Sequence, residues 1–207
     1  MEKDYIIRLE TEADYRKVEN LTREAFWNVY RPGCSEHYVL HCYRNRKEFV
    51  PELDFVMEKD NKIIGHVMYA RSEINADNGR VIPIMTFGPI SIEPHYQGKG
   101  YGSILLQYSM DKAKNMGTGA LAITGNIGFY GKLGFVVAST MDIHYYAEPR
   151  TNEVPYFLVK ELVDGFLSGI SGMYRDPKGY SVDEKETEDF DALFPVKKKL
   201  KLPGQIF

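Results

Sequence analysis

Ile90-Ser91-Ile92-Glu93-Pro94-His95-Tyr96-Gln97-Gly98-Lys99-Gly100-Tyr101-Gly102-Ser103 is the most informative segment of this 207-residue chain. A strand-like run ends at Pro94, three glycines alternate with other residues, and a helical pattern begins at Tyr101. Glycines let successive backbone N–H groups converge on one oxyanion without interference from Cβ. The N-terminus of the following helix adds roughly 0.3–1 kcal/mol for each nearby negative charge. The segment therefore predicts a pyrophosphate cradle, although a tight turn alone would use the same glycines. A nucleotide P-loop is excluded, because Lys99 is followed by Gly100 rather than Ser or Thr. A dinucleotide fingerprint needs an acid about 20 residues further on for the ribose, and residues 112–141 contain none.

The flanking sequence alternates between strand and helix patterns. Upstream, residues 81–92 form a strand interrupted at Gly88-Pro89, preceded by a polar loop over 75–80. Residues 55–59 and 62–69 flank Asp60-Asn61, a two-residue hairpin signal. Residues 6–9 read as a first strand. Thr11 with Asp14 starts a capping-box helix that runs to about residue 30 and stops at Pro32-Gly33. A second helix is expected over 35–46. Downstream, residues 101–116 form a helix with Ile104, Leu105, Tyr108 and Met116 on one face, ended by Gly117. A short buried strand follows at 120–124, a short helix at 129–133, and strands at 135–143 and 156–159. This order predicts a mixed α/β sheet with helices on its faces. Beyond residue 162 the pattern weakens. The acidic run 183–189 and Lys197-Lys198-Lys199 bracket Phe190, Leu193 and Phe194, the anchors of a C-terminal extension.

Composition bounds the function. The chain is 43% hydrophobic and 27% charged, enough for a proper core. No apolar run approaches the ~18 residues of a bilayer span, and the charged opening Met1-Glu2-Lys3-Asp4-Tyr5 argues against a leader. Two cysteines are too few for a disulfide scaffold. The expected location is the cytoplasm, with no membrane partner. The net charge is −3, yet residues 94–141 hold four lysines against Asp111 alone. A nucleic-acid binder carries a larger basic stripe; a positive window in an acidic chain suits a small polyanion.

Three segments resemble one family. Gln97-Gly98-Lys99-Gly100-Tyr101-Gly102 is similar to the Gln/Arg-x-x-Gly-x-Gly/Ala motif of the GNAT superfamily of acyl-CoA-dependent N-acetyltransferases. Residues 88–94 resemble that family's bulged fourth strand, and residues 125–135 its second motif, ending in Tyr-x-x-x-Gly-Phe. Phe157-Leu158-Val159-Lys160-Glu161-Leu162 and Gly169-Ile170-Ser171-Gly172 resemble the tail of the YhbS-like branch. The resemblance covers residues 5–172. It implies a mostly antiparallel twisted sheet with a splayed parallel pair at the coenzyme cleft and helices on both faces. Together with the weakening of the pattern beyond residue 162, it gives the expected organisation, a domain over 1–162 with 163–207 as an extension packed on it.

The activity so implied is transfer of the acetyl group of acetyl-CoA, the acyl donor, to a primary amine. The coenzyme-binding positions are Ile90, Ser91 and Ile92 on the bulged strand, then Gln97, Gly98, Lys99, Gly100, Tyr101, Gly102 and Ser103, then Asn126, Phe129 and Lys132. A backbone N–H near Ile90 polarises the thioester carbonyl, and Tyr130 is the general acid for the leaving thiolate. Phe129 replaces a tyrosine common in the branch and removes a hydroxyl there. The general base stays open: Glu93, Glu36, His37 and a water relay are the candidates. Cys34, His37, His41 and Cys42 have metal-ligand chemistry but match no common zinc spacing, so no metal is expected. Trp27, Tyr30 and Tyr38 are core or groove-wall aromatics, and Lys197 to Lys201 offset the acidic run. The expected acceptor is a small-molecule amine rather than a protein or nucleic acid, and the expected state a monomer or homodimer. Alternatives are an acyl-CoA-binding sensor without turnover and an enzyme for longer acyl chains.

Overall fold

The computed structural model describes residues 4–205; Met1-Glu2-Lys3, part of the segment read against a leader, lies outside them. Along the chain come β1 (Ile6–Leu9), α1 (Tyr15–Phe26), α2 (Glu36–Tyr43), β2 (Phe55–Lys59), β3 (Lys62–Ala76), β4 (Val81–Ile92), α3 (Tyr101–Asn115), β5 (Ala120–Thr124), α4 (Ile127–Tyr130), β6 (Val136–Val137), β7 (Ile143–Tyr145), β8 (Phe157–Glu161), β9 (Gly172–Tyr174) and α5 (Glu184–Asp191).

Local chemistry explains most of these boundaries. The Asp14 carboxylate accepts from the Thr11 hydroxyl at 2.7 Å and the Thr11 N–H at 3.0 Å. Arg8 of β1 donates to the same carboxylate at 2.6 Å, so strand and helix start are tied together. α1 ends at Phe26 rather than near residue 30. The cause is Asn28, which takes φ +61° and accepts the Gly33 and Leu200 N–H groups on Oδ1, each at 2.9 Å. Asp60 and Asn61 both have positive φ, 50° and 60°, as a type I′ hairpin requires. β3 runs seven residues past its expected end at Tyr69 before turning through Gly79 at φ +84°. β4 is continuous through Gly88-Pro89, where Gly88 takes φ +123°.

Three further expectations need correction. The buried face of α3 is Leu105, Leu106, Ser109, Met110 and Ala113, whereas Ile104 and Met116 are exposed. Ser109 can be buried because its Oγ lies 2.8 Å from the Tyr69 hydroxyl. The strand expected over 135–143 is broken into β6, a 3-10 turn at Ala138–Met141, and β7. Leu193, read as an anchor, is 66% exposed, while Phe190 and Phe194 are buried.

The chain forms two compact units. The first comprises residues 4–68, 89–106 and 178–205. In it β1, β2 and β3 are antiparallel neighbours, and Glu93 N–H extends the sheet to the Ile64 carbonyl at 2.8 Å. Val18 and Leu21 of α1 and Leu40 and Tyr43 of α2 are buried, as are Val56, Met57 and Val67 of the strands. The second unit comprises residues 69–88 and 107–177. Here β4 and β5 are parallel, with Met85 opposite Leu121 and Thr86 opposite Ala122. β8 runs antiparallel to β5 over all five residues and carries β6 on its other edge. β9 pairs antiparallel with β3 and parallel with β7. The core of this unit includes Ile74, Ile84, Ala122, Ile143, Phe157, Val159 and Tyr174. Residues 163–177 thus supply a strand to the second unit, and residues 178–205 belong to the first.

Candidate functional site

The glycine loop lies in the first unit. Gln97 braces it by donating from Nε2 to the Ile92 carbonyl at 2.9 Å. Gly98 and Gly100 sit at φ +72° and +88°. A Cβ built at either would meet nothing within 4 Å, so glycine is required there by backbone conformation and not by lack of room. Lys99, between them, is exposed, with Nζ 5.6 Å from the Tyr96 ring. Tyr101 opens α3 with its ring edge-on to Tyr5 at 6.2 Å and Tyr96 at 5.8 Å. The first-turn N–H groups of a helix have no acceptor inside it, and those of Tyr101, Gly102 and Ser103 directly follow the loop.

The strand before the loop is less available. Ser91 is buried and donates from Oγ to Thr22 Oγ1 at 2.9 Å. Ile92 is buried too and Ile90 half-buried. The side chains of Ser91 and Ile92 belong to the packing, which leaves the backbone as their means of meeting a ligand.

The other group of expected site residues lies in the second unit, after β5. Asn126 caps α4, its Oδ1 accepting from Gly128 N–H at 2.7 Å and its carbonyl from Tyr130 N–H at 3.0 Å. The Tyr130 ring packs among Phe87, Phe129 and Phe135 at centroid distances of 5.8, 4.9 and 5.6 Å. Gly125 lies under that ring: a Cβ there would come within 2.3 Å of Tyr130 Cε2. Phe129 is half-buried and Lys132 exposed. Sequence reasoning missed Phe87 and the part played by Gly125. The alternation of β4 contains the signal for Phe87, but nothing local reveals the contact with Tyr130.

The general-base candidates have other partners. Glu93 accepts the His95 N–H at 3.0 Å. Glu36 accepts the Ser35 N–H at 2.9 Å, and burial raises its pKa. His37 is fully buried, and burial pushes it down to about 4 despite Asp191 nearby. The four cysteine and histidine residues do not gather: Cys34 Sγ lies 3.4 Å from His37 Nδ1, while His41 faces Glu19 at 2.8 Å.

Glu10, Asp54 and His66 do converge, with ligand atoms within 4.8 Å of one another. Arg44, however, donates to both Glu10 oxygens at 3.0 and 2.7 Å, and His66 Nε2 lies 2.7 Å from Asp54. A guanidinium already supplies the positive charge. Burial raises Glu10 to about 7 and Asp54 to about 6, and lowers His66 to about 4. The sequence held no sign of this cluster, since its members share no spacing motif.

Comparison with known proteins places these features in one family. The model of the acetyltransferase (GNAT) family matches residues 21–135, more than half of the chain. The uncharacterised N-acetyltransferase YjhQ of Escherichia coli strain K12 is 26% identical over 86 residues, which cover 41% of this chain and 46% of YjhQ. The match thus spans less than half the length of that curated relative. Among solved structures, the GNAT family N-acetyltransferase YhbS of Escherichia coli in complex with CoA has a TM-score of 0.73 at 21% identity, over 86% of this chain and 92% of that one. A GNAT family acetyltransferase of Brucella melitensis in complex with acetyl-CoA reaches 0.67 at 21% identity, over 86% and 98%. These two likenesses concern the fold, and the family match covers the glycine loop and Tyr130 alike: the chain belongs to the acetyltransferase (GNAT) family.

Proposed function

We propose that this protein transfers the acetyl group of acetyl-CoA to a primary amine. The observation that carries this reading is the pair of left-handed glycines, Gly98 and Gly100, placed directly before the N-terminus of α3 in a chain of the GNAT family. Free N–H groups and a helix dipole are what a pyrophosphate needs. The neighbours crystallised with CoA and acetyl-CoA support the same donor here.

In this reading the backbone of residues 97–103 holds the pyrophosphate, with Lys99 and Lys132 beside the phosphates. The backbone of Ile90, Ser91 and Ile92 meets the pantetheine arm, and the N–H near Ile90 polarises the thioester carbonyl. One such donor is worth about 3 kcal/mol in the transition state. Asn126 and Phe129 border the thiol end. The amine nitrogen bonds to the acetyl carbon, the carbon–sulfur bond breaks, and Tyr130 gives its phenolic proton to the departing sulfur. The amine proton leaves to water, from which Tyr130 is reprotonated.

The test is melting in the presence of acetyl-CoA, with NAD and ATP as controls, followed by thiol release with a panel of amines. At 100 times Kd, binding stabilises by about 2.7 kcal/mol, a shift of several degrees. A selective shift with amine-dependent thiol release supports the proposal. A shift without release leaves an acyl-CoA-binding module, and no shift removes the donor.

A further inference from the structure

A second cluster in the unit that carries Tyr130 combines aromatic rings with acids that lack a counter-charge. Tyr145, at the end of β7, donates its hydroxyl to Asp176. Its ring is edge-on to Tyr156 at 6.2 Å and stacked on Tyr174 at 6.4 Å. Tyr156 is 45% exposed and has Glu148 at its hydroxyl, with Asp176 also within electrostatic reach. Asn152 donates to Glu148 at 3.3 Å. The Tyr174 hydroxyl is fully buried beside Ser72, Thr86 and Asp176, yet among the described residues it meets no partner in hydrogen-bond geometry.

The charge balance is one-sided. Asp77 of the same unit is paired with Arg150, but among the described residues neither Asp176 nor Glu148 takes part in an ion pair. Arg175, next to Asp176 in sequence, lies instead over the Tyr146 ring at 3.4 Å. Tyr145 directs its hydroxyl hydrogen at Asp176, and Glu148 stands within electrostatic reach of the Tyr156 hydroxyl, so the cluster offers lone pairs and ring surfaces. Burial, and for Tyr145 also Asp176, raises the pKa of both phenols and keeps them protonated. The complement of such a surface is an ammonium ion, which has three donors, no acceptor and an attraction to aromatic faces.

The cluster also adjoins Tyr130 through the backbone. Gly125 N–H donates to the Tyr156 carbonyl at 2.7 Å, and Gly125 is the residue on which the Tyr130 ring rests.

We infer that Tyr145, Tyr156, Glu148 and Asp176 form an acceptor subsite that selects amines carrying a positive charge remote from the reacting nitrogen. As an acceptor site this rests on the acetyl-transfer reading of Tyr130; as a cation-binding site it stands without it.

The experiment separates the two. Calorimetry on the full chain with 1,5-diaminopentane and with 5-aminopentanoate compares one reacting amine with a distal ammonium or a distal carboxylate. The diamine is expected to bind about tenfold or more tightly, and the Glu148→Gln/Asp176→Asn variant to lose that margin. An unchanged melting shift with acetyl-CoA shows that the variant is folded; Glu148→Gln alone, at a half-buried position, gives the same direction if the double variant is not. Equal affinity for the two amines, or full diamine affinity in the variants, overturns the subsite. Diamine binding that the variants lose, in a wild-type protein that transfers no acetyl group, keeps the cation site and refutes the transfer reading instead.

Discussion

Tyr130 rests on a carbon that bears no side chain. Gly125 leaves room for the ring, and Phe87, Phe129 and Phe135 hold it from the sides. If Tyr130 is the general acid, Tyr130→Phe keeps this packing and removes only the proton donor. Its kcat is expected to fall about 100-fold with acetyl-CoA affinity little changed, as measured by steady-state kinetics against a saturating amine. Gly125→Ala does the reverse: the hydroxyl stays, but a methyl 2.3 Å from Cε2 must displace the ring. Such overpacking costs about 1–3 kcal/mol, and kcat is expected to drop together with the melting temperature. Turnover near wild type in Tyr130→Phe would remove the assigned role.

Elements whose cause is local were legible. The Thr11–Asp14 capping turn that leads into α1, the Asp60-Asn61 turn and the backbone of Gly98 and Gly100 each depend on a few adjacent residues, and each has the local geometry expected. α1 itself begins at Tyr15 rather than at Thr11. What stayed hidden depends on partners distant in sequence. β9 has three residues, too few for a period, and exists because Gly172 lets it approach β3: a Cβ there would meet the Asn75 carbonyl oxygen at 2.6 Å. The face of α3 was misjudged because buried Ser109 finds a hydroxyl forty positions upstream. A motif singles out Tyr130 in the sequence, whereas the contact of Tyr145 with Tyr156, eleven residues apart, follows no pattern. At the scale of the loop, Gly100→Ala forces a Cβ into φ +88°, costing about 1 kcal/mol or more. The same change is expected to weaken acetyl-CoA binding in calorimetry while the melting temperature of the ligand-free protein falls by only a few degrees. Undiminished affinity would show that the loop does not hold the pyrophosphate.

Across the first unit, residues 178–205 neutralise charge that the earlier chain buries. Arg23 of α1 is 1% exposed and is met by Asp191 of α5 at 2.6 Å, while Phe190 and Phe194 cover the His37 ring at 5.4 and 5.3 Å. Asp191→Ala leaves the buried guanidinium only Glu24, 4.0 Å away, an expected loss of about 3 kcal/mol in urea unfolding. His37 adds a pH dependence. It faces Asp191, Arg23, Glu19 and Cys34 and stays neutral down to about 4 in the folded state, whereas an unfolded histidine takes its proton near 6.5. Between those values the unfolded chain binds more protons, so this group's contribution is whole above pH 6.5 and is lost as pH falls toward 4. Glu10, raised to about 7, acts in the opposite sense as pH rises from about 4.5. Comparison with His37→Gln isolates the histidine: the variant is expected to lose less stability between pH 7 and 5 than the wild type, and equal losses would assign the slope elsewhere.

The first unit is assembled from three separated stretches of chain, and residues 178–205 form the third. During synthesis the second unit has all its residues once Pro177 has emerged from the ribosome, whereas the first still lacks the carboxylate for Arg23 and the cover for His37. Its helices α1 and α2 therefore wait, with apolar faces open, until translation has passed α5. Nascent chains stalled soon after Pro177 should resist protease over 69–88 and 107–177 and be cut in α1 and α2, the vulnerable interval in the life of this protein.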